Sequence, residues 1–200
     1  MGDTRSGGQM TPSRSNAPDA GFAEATELRH RQMNEMWDAH WYDEFEIANT
    51  TPSDARTFAL TCDGESVTVA LLHNVAPKTC EHFWNQLPLG GHAIHCAFFG
   101  HAAFWLDRID LGTGRVLENR SVRLTPGEFI WDPWMHEITW AYGRYAEMRF
   151  PTTLWYGDEP HPNQGCVFAR VVNADLDRFA AIMKRLRYEG AKVVEARRDT

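Results

Sequence analysis

No stretch of this sequence stays apolar for the ~20 residues that a membrane-spanning helix needs. Its opening segment, MGDTRSGGQMTPSRSNAPDA, lacks the apolar core of an export signal. Closely spaced thiols are missing too. Cys62, Cys80, Cys96 and Cys166 lie far apart, with no C-x-x-C pair. Free thiols in a reducing, cytoplasmic setting are therefore expected. Positive charge is in deficit: 20 Lys and Arg against 27 Asp and Glu give a net charge of −7 with His neutral. Nucleic acids and anionic membranes both demand a dense basic surface, so neither is an expected partner. Neither a Walker pattern nor a GxGxxG is present, and LGTG (111–114) reads as an ordinary loop. No Ser-His-Asp or Cys-His triad can be picked out, and no cofactor is implied.

What is present is the material of a folded domain. A hydrophobic fraction of 43% and a charged fraction of 24% are ordinary for a globular chain. A core of this size needs no disulfide or metal staple. Residues 1–21, rich in Gly, Ser, Pro and Thr, are expected to be disordered. Residues 22–55 read as a helical arm and linker. Met33, Met36, Trp37, His40 and Trp41 fall on one helical face there, and Pro52 ends any helix. That stripe is a candidate homo-oligomer contact through residues 22–42, or it packs on its own domain.

The domain proper is expected over 56–198. TFALTC and SVTVALLH are strand-like, with Asp63-Gly64 as the hairpin turn between them. APKTCEHFWNQLP reads as a helix: Pro77 suits a first helical position, and Pro88 with Gly90-Gly91 ends it. Its stripe of Cys80, Phe83, Trp84 and Leu87 makes Cys80 a buried thiol rather than a nucleophile. Beyond Gly91, AIHCAFF, AAFWLDR, EFIWD, HEITWAY, YAEMRF and CVFARVV are candidate strands. A late helix, ADLDRFAAIMKRLRYE, follows, with Asn173 or Asp175 as its cap and Gly190 as its stop, and AKVVEA is a last strand. Short strands with one early and one late helix predict a mainly β fold: a closed barrel capped by two helices.

The densest group of metal-capable side chains is HAIHCAFFGH (92–101). In a regular strand His92, Ile94, Cys96 and Phe98 share one face and His95 the other. At a rise of about 3.3 Å per residue, His92 and Cys96 stand about 13 Å apart, too far to share an ion. A long-range set of His95, His101 and His136 is the geometry that remains, and no metal is expected. The segment PGEFIWDPWMHEITWAYGRY mixes aromatics with His136, Glu137 and Arg144, the make-up of a small-molecule site. Parity there sets His136, Ile138, Trp140 and Tyr142 opposite Glu137, Thr139 and Ala141. If it faces the barrel interior, Glu137 has its pKa raised by burial. If it faces outward, it is a surface charge.

VAPKTCEHFWNQLP (75–88) resembles the first helix of cyclophilins, and the order hairpin, helix, strands, late helix, strand is similar to theirs over about residues 56–198. Where cyclophilin isomerases carry Phe-His-Arg, this chain has Ile94-His95-Cys96, so the guanidinium that polarises a prolyl amide is replaced by a thiol. The chain more closely resembles bacterial cyclophilin-like proteins of unassigned function, at His95, Gly100, Trp105, Glu118-Asn119, Pro126-Gly127, Glu137 and Tyr142-Gly143. The resemblance implies a cyclophilin-like barrel with a polar cleft for a small-molecule ligand. The candidate catalytic residues are His95, Glu137 and Glu118. A carboxylate would act as general base and His95 as acid or orienter. Trp105, Asn119, Tyr142 and His136 are the candidate ligand contacts. Cofactor-independent hydrolysis or isomerisation fits these groups. Prolyl isomerisation and a non-catalytic interaction module are the alternatives.

Overall fold

The computed structural model describes Glu24, Leu28, Arg29, Arg31, Gln32 and residues 51–144, 146–148, 155–156 and 159–199. The chain divides into two compact units, Met1–Ala48 and Asn49–Thr200. In the first, the five described residues are helical, within the span where a helical arm was expected. Met33, Met36, Trp37, His40 and Trp41 lie outside the described residues, as do all of 1–21 and most of 22–42.

The second unit starts with the expected hairpin. Strand β1 (Thr57–Cys62) pairs with β2 (Glu65–Leu71), Cys62 opposite Glu65. Asp63 and Gly64 have φ of 54° and 82°. Two left-handed residues in a two-residue loop give a turn whose twist matches that of the strands. Helix α1 (Pro77–Gln86) begins on Pro77, whose missing N–H costs nothing in a first turn. Cys80 and Phe83 point into the core, and the Phe83 ring meets Phe58 at 4.9 Å and Phe168 at 5.1 Å. Burying such a ring contributes about 1.5–3 kcal/mol.

The next strand differs from expectation. Strand β3 runs Leu89–Cys96, so Gly90 and Gly91 lie inside it rather than ending the helix. The reason is packing: a Cβ on Gly91 would come within 2.2 Å of Asp107 Oδ2 and 2.4 Å of Trp105 Nε1. The glycine is there so that Trp105 can approach. Ala97, Phe98 and Phe99 also leave the expected strand and form a turn into β4 (Ala102–Trp105).

Then come β5 (Arg120–Ser121), β6 (Arg123–Leu124), β7 (Glu128–Asp132), β8 (Glu137–Ala141), β9 (Ala146–Glu147), β10 (Trp155–Tyr156), β11 (Glu159–Pro160) and β12 (Gly165–Val171). A 3-10 turn (Asn173–Asp175) leads into α2 (Leu176–Glu189), and β13 (Lys192–Arg198) ends the unit. Gly190 stops α2 with φ 88°, as expected. Asp175 sits at the N-cap but does not cap the helix. Its carboxylate accepts the Thr68 N–H at 2.7 Å and an Arg178 N–H at 2.9 Å instead.

Eight strands close into an antiparallel ring in the order β2-β1-β13-β3-β4-β8-β7-β12, and β12 pairs back onto β2 through Ala169 opposite Leu71. The fold of this second unit is thus mainly β, a closed barrel with two helices. The interior is filled by side chains such as Leu60, Val69, Trp105, Phe129, Trp131, Trp140 and Phe168. The buried stripes of both helices, Phe83 from α1 and Phe179, Ile182, Met183 and Leu186 from α2, join the same cluster. The opposite strand faces form a second cluster with Cys96, Ala102, Ile130, Ala141 and Val167. Among the described residues no helix is long and apolar enough to cross a membrane.

Candidate functional site

The turn after β3 brings His95 and His101 together. Phe99 N–H bonds to the Cys96 carbonyl at 3.4 Å, and Gly100 takes φ 73°. The chain then returns antiparallel, with His95 opposite Ala103. Residues 101 and 103 share a face, so His101 lands on the side of His95. A cavity of about 240 Å³ opens there, lined by His95, Ala97, Gly100, His101, Arg144 and Arg187. Arg144 follows the end of β8, and Arg187 comes from the last turn of α2, which packs on β3.

Tyr142 ties the two histidines together. Its Oη lies 2.9 Å from His95 Nδ1, and its ring stacks on His101 with centroids 5.9 Å apart and planes 26° apart. Gly143 makes room for this stack, since a Cβ there would sit 2.9 Å from both Cβ and Nδ1 of His101.

Nδ1 of His95 lies 3.0 Å from the Ala102 carbonyl oxygen, which can only accept, and 2.9 Å from the Tyr142 hydroxyl, which can also donate. The Ala102 contact favours the tautomer with the hydrogen on Nδ1, with Tyr142 Oη as a second acceptor, and in that tautomer Nε2 of the neutral ring holds a lone pair. Burial pushes the His95 pKa down, opposed by the Ala102 hydrogen bond and helped by the nearby Arg187. At neutral pH His95 is thus an uncharged base beside two guanidinium groups. None of the described residues that line the cavity is acidic.

The other expected site residues do not converge on it. Glu118 holds the start of α1: its carboxylate accepts Lys78 N–H at 3.2 Å, Thr79 N–H at 2.9 Å and the Thr79 hydroxyl at 3.0 Å. Asn119 donates its Nδ2 hydrogen to the Val167 carbonyl at 2.8 Å, tying its loop to β12. Trp105 is buried in the barrel interior, edge-on to Trp140 at 6.1 Å. His136 is not on a strand. It has φ 53°, in a turn held by Asp132 Oδ1, which accepts the N–H of Trp134 at 2.9 Å and of Met135 at 3.2 Å. It borders a separate cavity of about 220 Å³ with Asp110, Arg115, Trp131 and Trp134.

Glu137 combines the two alternatives the sequence left open. It faces away from the interior, on the side of Thr139 and opposite Ile138 and Trp140, yet it is half-buried. Burial drives its pKa up to about 7, against a hydrogen bond from the Thr139 hydroxyl at 2.7 Å, with Asp132 adding to the rise. Beside it, His161 Nδ1 accepts the Asn163 N–H at 2.9 Å, so Nε2 carries the hydrogen and donates it to Asp132 Oδ2 at 2.8 Å.

The cysteines offer no nucleophile. All four are free and buried, and burial lifts Cys96 and Cys166 to about 11 and Cys80 to about 12. Among the described residues no group of three or more His, Cys, Asp or Glu is arranged to hold a metal ion. Arg187 is the residue that sequence reasoning missed. It lies 92 positions from His95, and only the packing of α2 on β3 brings it near.

The sequence profile of a family described as "Protein of unknown function (DUF3830)" matches residues 58–197. No curated protein matches the chain. Among solved structures, one titled "Structure of McbB in complex with tryptophan" is similar at TM-score 0.55 and 14% identity, over 71% of this chain and 44% of that one. This chain therefore spans less than half of that protein's length. The solution structure of the hypothetical protein AF2241 from Archaeoglobus fulgidus is similar at TM-score 0.46 and 16% identity, over 72% of this chain and 95% of that one. At such identity the first of these supports the barrel fold alone.

Proposed function

We propose, for a chain that belongs to the DUF3830 family of proteins of unknown function, that it binds a small anionic metabolite in the cavity beside His95. His95 Nε2 then accepts a proton from that ligand or from a water next to it. The cyclophilin-like classification belongs to the same reading, supported by the VAPKTC helix and the closed eight-stranded barrel. Hydrolysis or isomerisation without a cofactor is the chemistry that one neutral base and two guanidiniums can serve.

One observation carries the reading. The His95 imidazole, held at Nδ1 by Ala102 and Tyr142, shares a cavity with Arg144 and Arg187. Guanidiniums recognise carboxylate and phosphate oxygens through a fork of donors. A base held neutral is able to take a proton once the anion is seated. Glu118 is assigned a structural role here, because its acceptor capacity is spent on α1. Prolyl isomerisation loses support because Cys96 is a buried thiol on the opposite face from His95.

The test is a calorimetric titration with acetate and with inorganic phosphate at pH 7. At least one binds, more weakly at higher salt. Replacing Arg144 or Arg187 by Ala weakens it about tenfold, the equivalent of ~1.4 kcal/mol. Binding by neither anion, or binding indifferent to both arginines, contradicts the proposal.

A further inference from the structure

The cavity is small for a complete ligand. At about 240 Å³ it falls below the ~300–1,000 Å³ of sites that enclose a drug-sized molecule. It accepts a head group and leaves the rest of a ligand at its mouth. The chemistry of that mouth therefore decides what the rest must be.

Two large exposed side chains adjoin lining residues along the chain. Phe98 is 73% exposed at the tip of the turn whose flanking residues, Ala97 and Gly100, line the cavity. Its neighbour Phe99 is buried, so the same short turn hides one phenyl ring and presents the other. Tyr188 is 72% exposed and follows Arg187, another lining residue. The Arg187 guanidinium stands 5.8 Å from the Tyr188 ring centroid, and Tyr188 is close enough to Tyr142 to affect its ionisation. Phe98 and Tyr188 thus come from two elements that meet at this cavity.

We infer that the ligand is an aromatic acid: an anionic head seated among His101, Arg144 and Arg187, with a flat apolar body lying on Phe98 and Tyr188. This rests on the anion-binding reading of the same cavity and extends it to a ligand class. Exposed rings gain by covering one another, and offset or edge-on pairs add to the area they bury. The arginines hold the charged end and so set the orientation of the body. The head is a carboxylate or a phosphate, since a guanidinium fork accepts either.

Four probes test this on the full chain by titration: acetate, phenylacetate, inorganic phosphate and phenyl phosphate. In the unaltered protein one aryl probe binds about tenfold tighter than its small counterpart, and which pair shows the gain identifies the head group. In the Phe98→Ala, Tyr188→Ala double variant that gain disappears, while affinity for the small anion stays the same. Both residues are exposed, so the variant keeps its fold, which circular dichroism verifies. An aryl advantage that is absent from the unaltered protein, or that survives in the double variant, overturns the inference and leaves the anion reading standing. Binding of none of the four probes overturns both.

Discussion

Two polar regions on the barrel wall, one around Asp132 and one around His95, differ in how their hydrogen bonds close. At Asp132 both carboxylate oxygens are occupied, by two backbone N–H groups and by His161, whose other nitrogen is occupied in turn. The Asp132 and His161 side chains are each 1% exposed. At His95 the partners gather on Nδ1, and the ring borders a cavity with two arginines. Both regions pair aromatic rings with titratable groups, so residue type does not distinguish them. A polar cluster that consumes its own capacity holds the fold together. One that leaves capacity facing open space can engage a ligand.

The largest effect expected is at the closed cluster. Asp132→Ala leaves one buried and two part-buried donors without this acceptor at once, and urea unfolding is expected to show a loss of about 3 kcal/mol. Anion affinity in the folded fraction stays unchanged. A loss below 1 kcal/mol would erase the contrast between the regions.

Glu137 gives the next effect, and its sign depends on pH. Its pKa rises from an ordinary 4.5 to about 7 in the folded protein, so the native state holds an extra proton between those values. The stability tied to that proton is complete below pH 4.5 and is lost as pH rises through about 7. Glu137→Gln should therefore match the parent near pH 4 and exceed it by about 2 kcal/mol at pH 8, a figure reduced for partial exposure. Thermal unfolding at the two pH values checks this, and equal gains at both contradict it.

Smaller changes sharpen the comparison. Glu118→Ala removes the acceptor at the start of α1 and costs about 1 kcal/mol, with anion affinity unchanged. If affinity falls as well, Glu118 belongs to the site after all. Tyr142→Phe removes one hydrogen bond at His95 and costs about 0.5–1 kcal/mol in chemical unfolding. It leaves the stacked ring in place over His101.

Much of the barrel was legible because local chemistry dictated it. Asp63-Gly64 could only turn a hairpin of this twist, and Pro77 and Gly190 punctuate helices by their own backbone constraints. The alternation along β8 separated Ile138 and Trp140 from Thr139 and Ala141 correctly but left open which face is the interior. Long-range partners were not legible. Gly90-Gly91 looked like a helix stop because the approaching Trp105 lies 14 positions downstream of Gly91. Glu118 resembled a spare carboxylate until α1 was placed on it. Of the expected site residues, His95 and Tyr142 are brought together, and Arg187 joins them only through packing between elements.

The central claim is that His95 is a neutral base with its proton on Nδ1 and its lone pair toward an anion site. Long-range proton–nitrogen correlation spectra of the labelled imidazole test it most directly. The account predicts a neutral ring at pH 7 with the hydrogen on Nδ1, protonation only below the usual histidine range, and an Nε2 shift when a bound anion is added. A hydrogen on Nε2, or an imidazolium at pH 7, would contradict it.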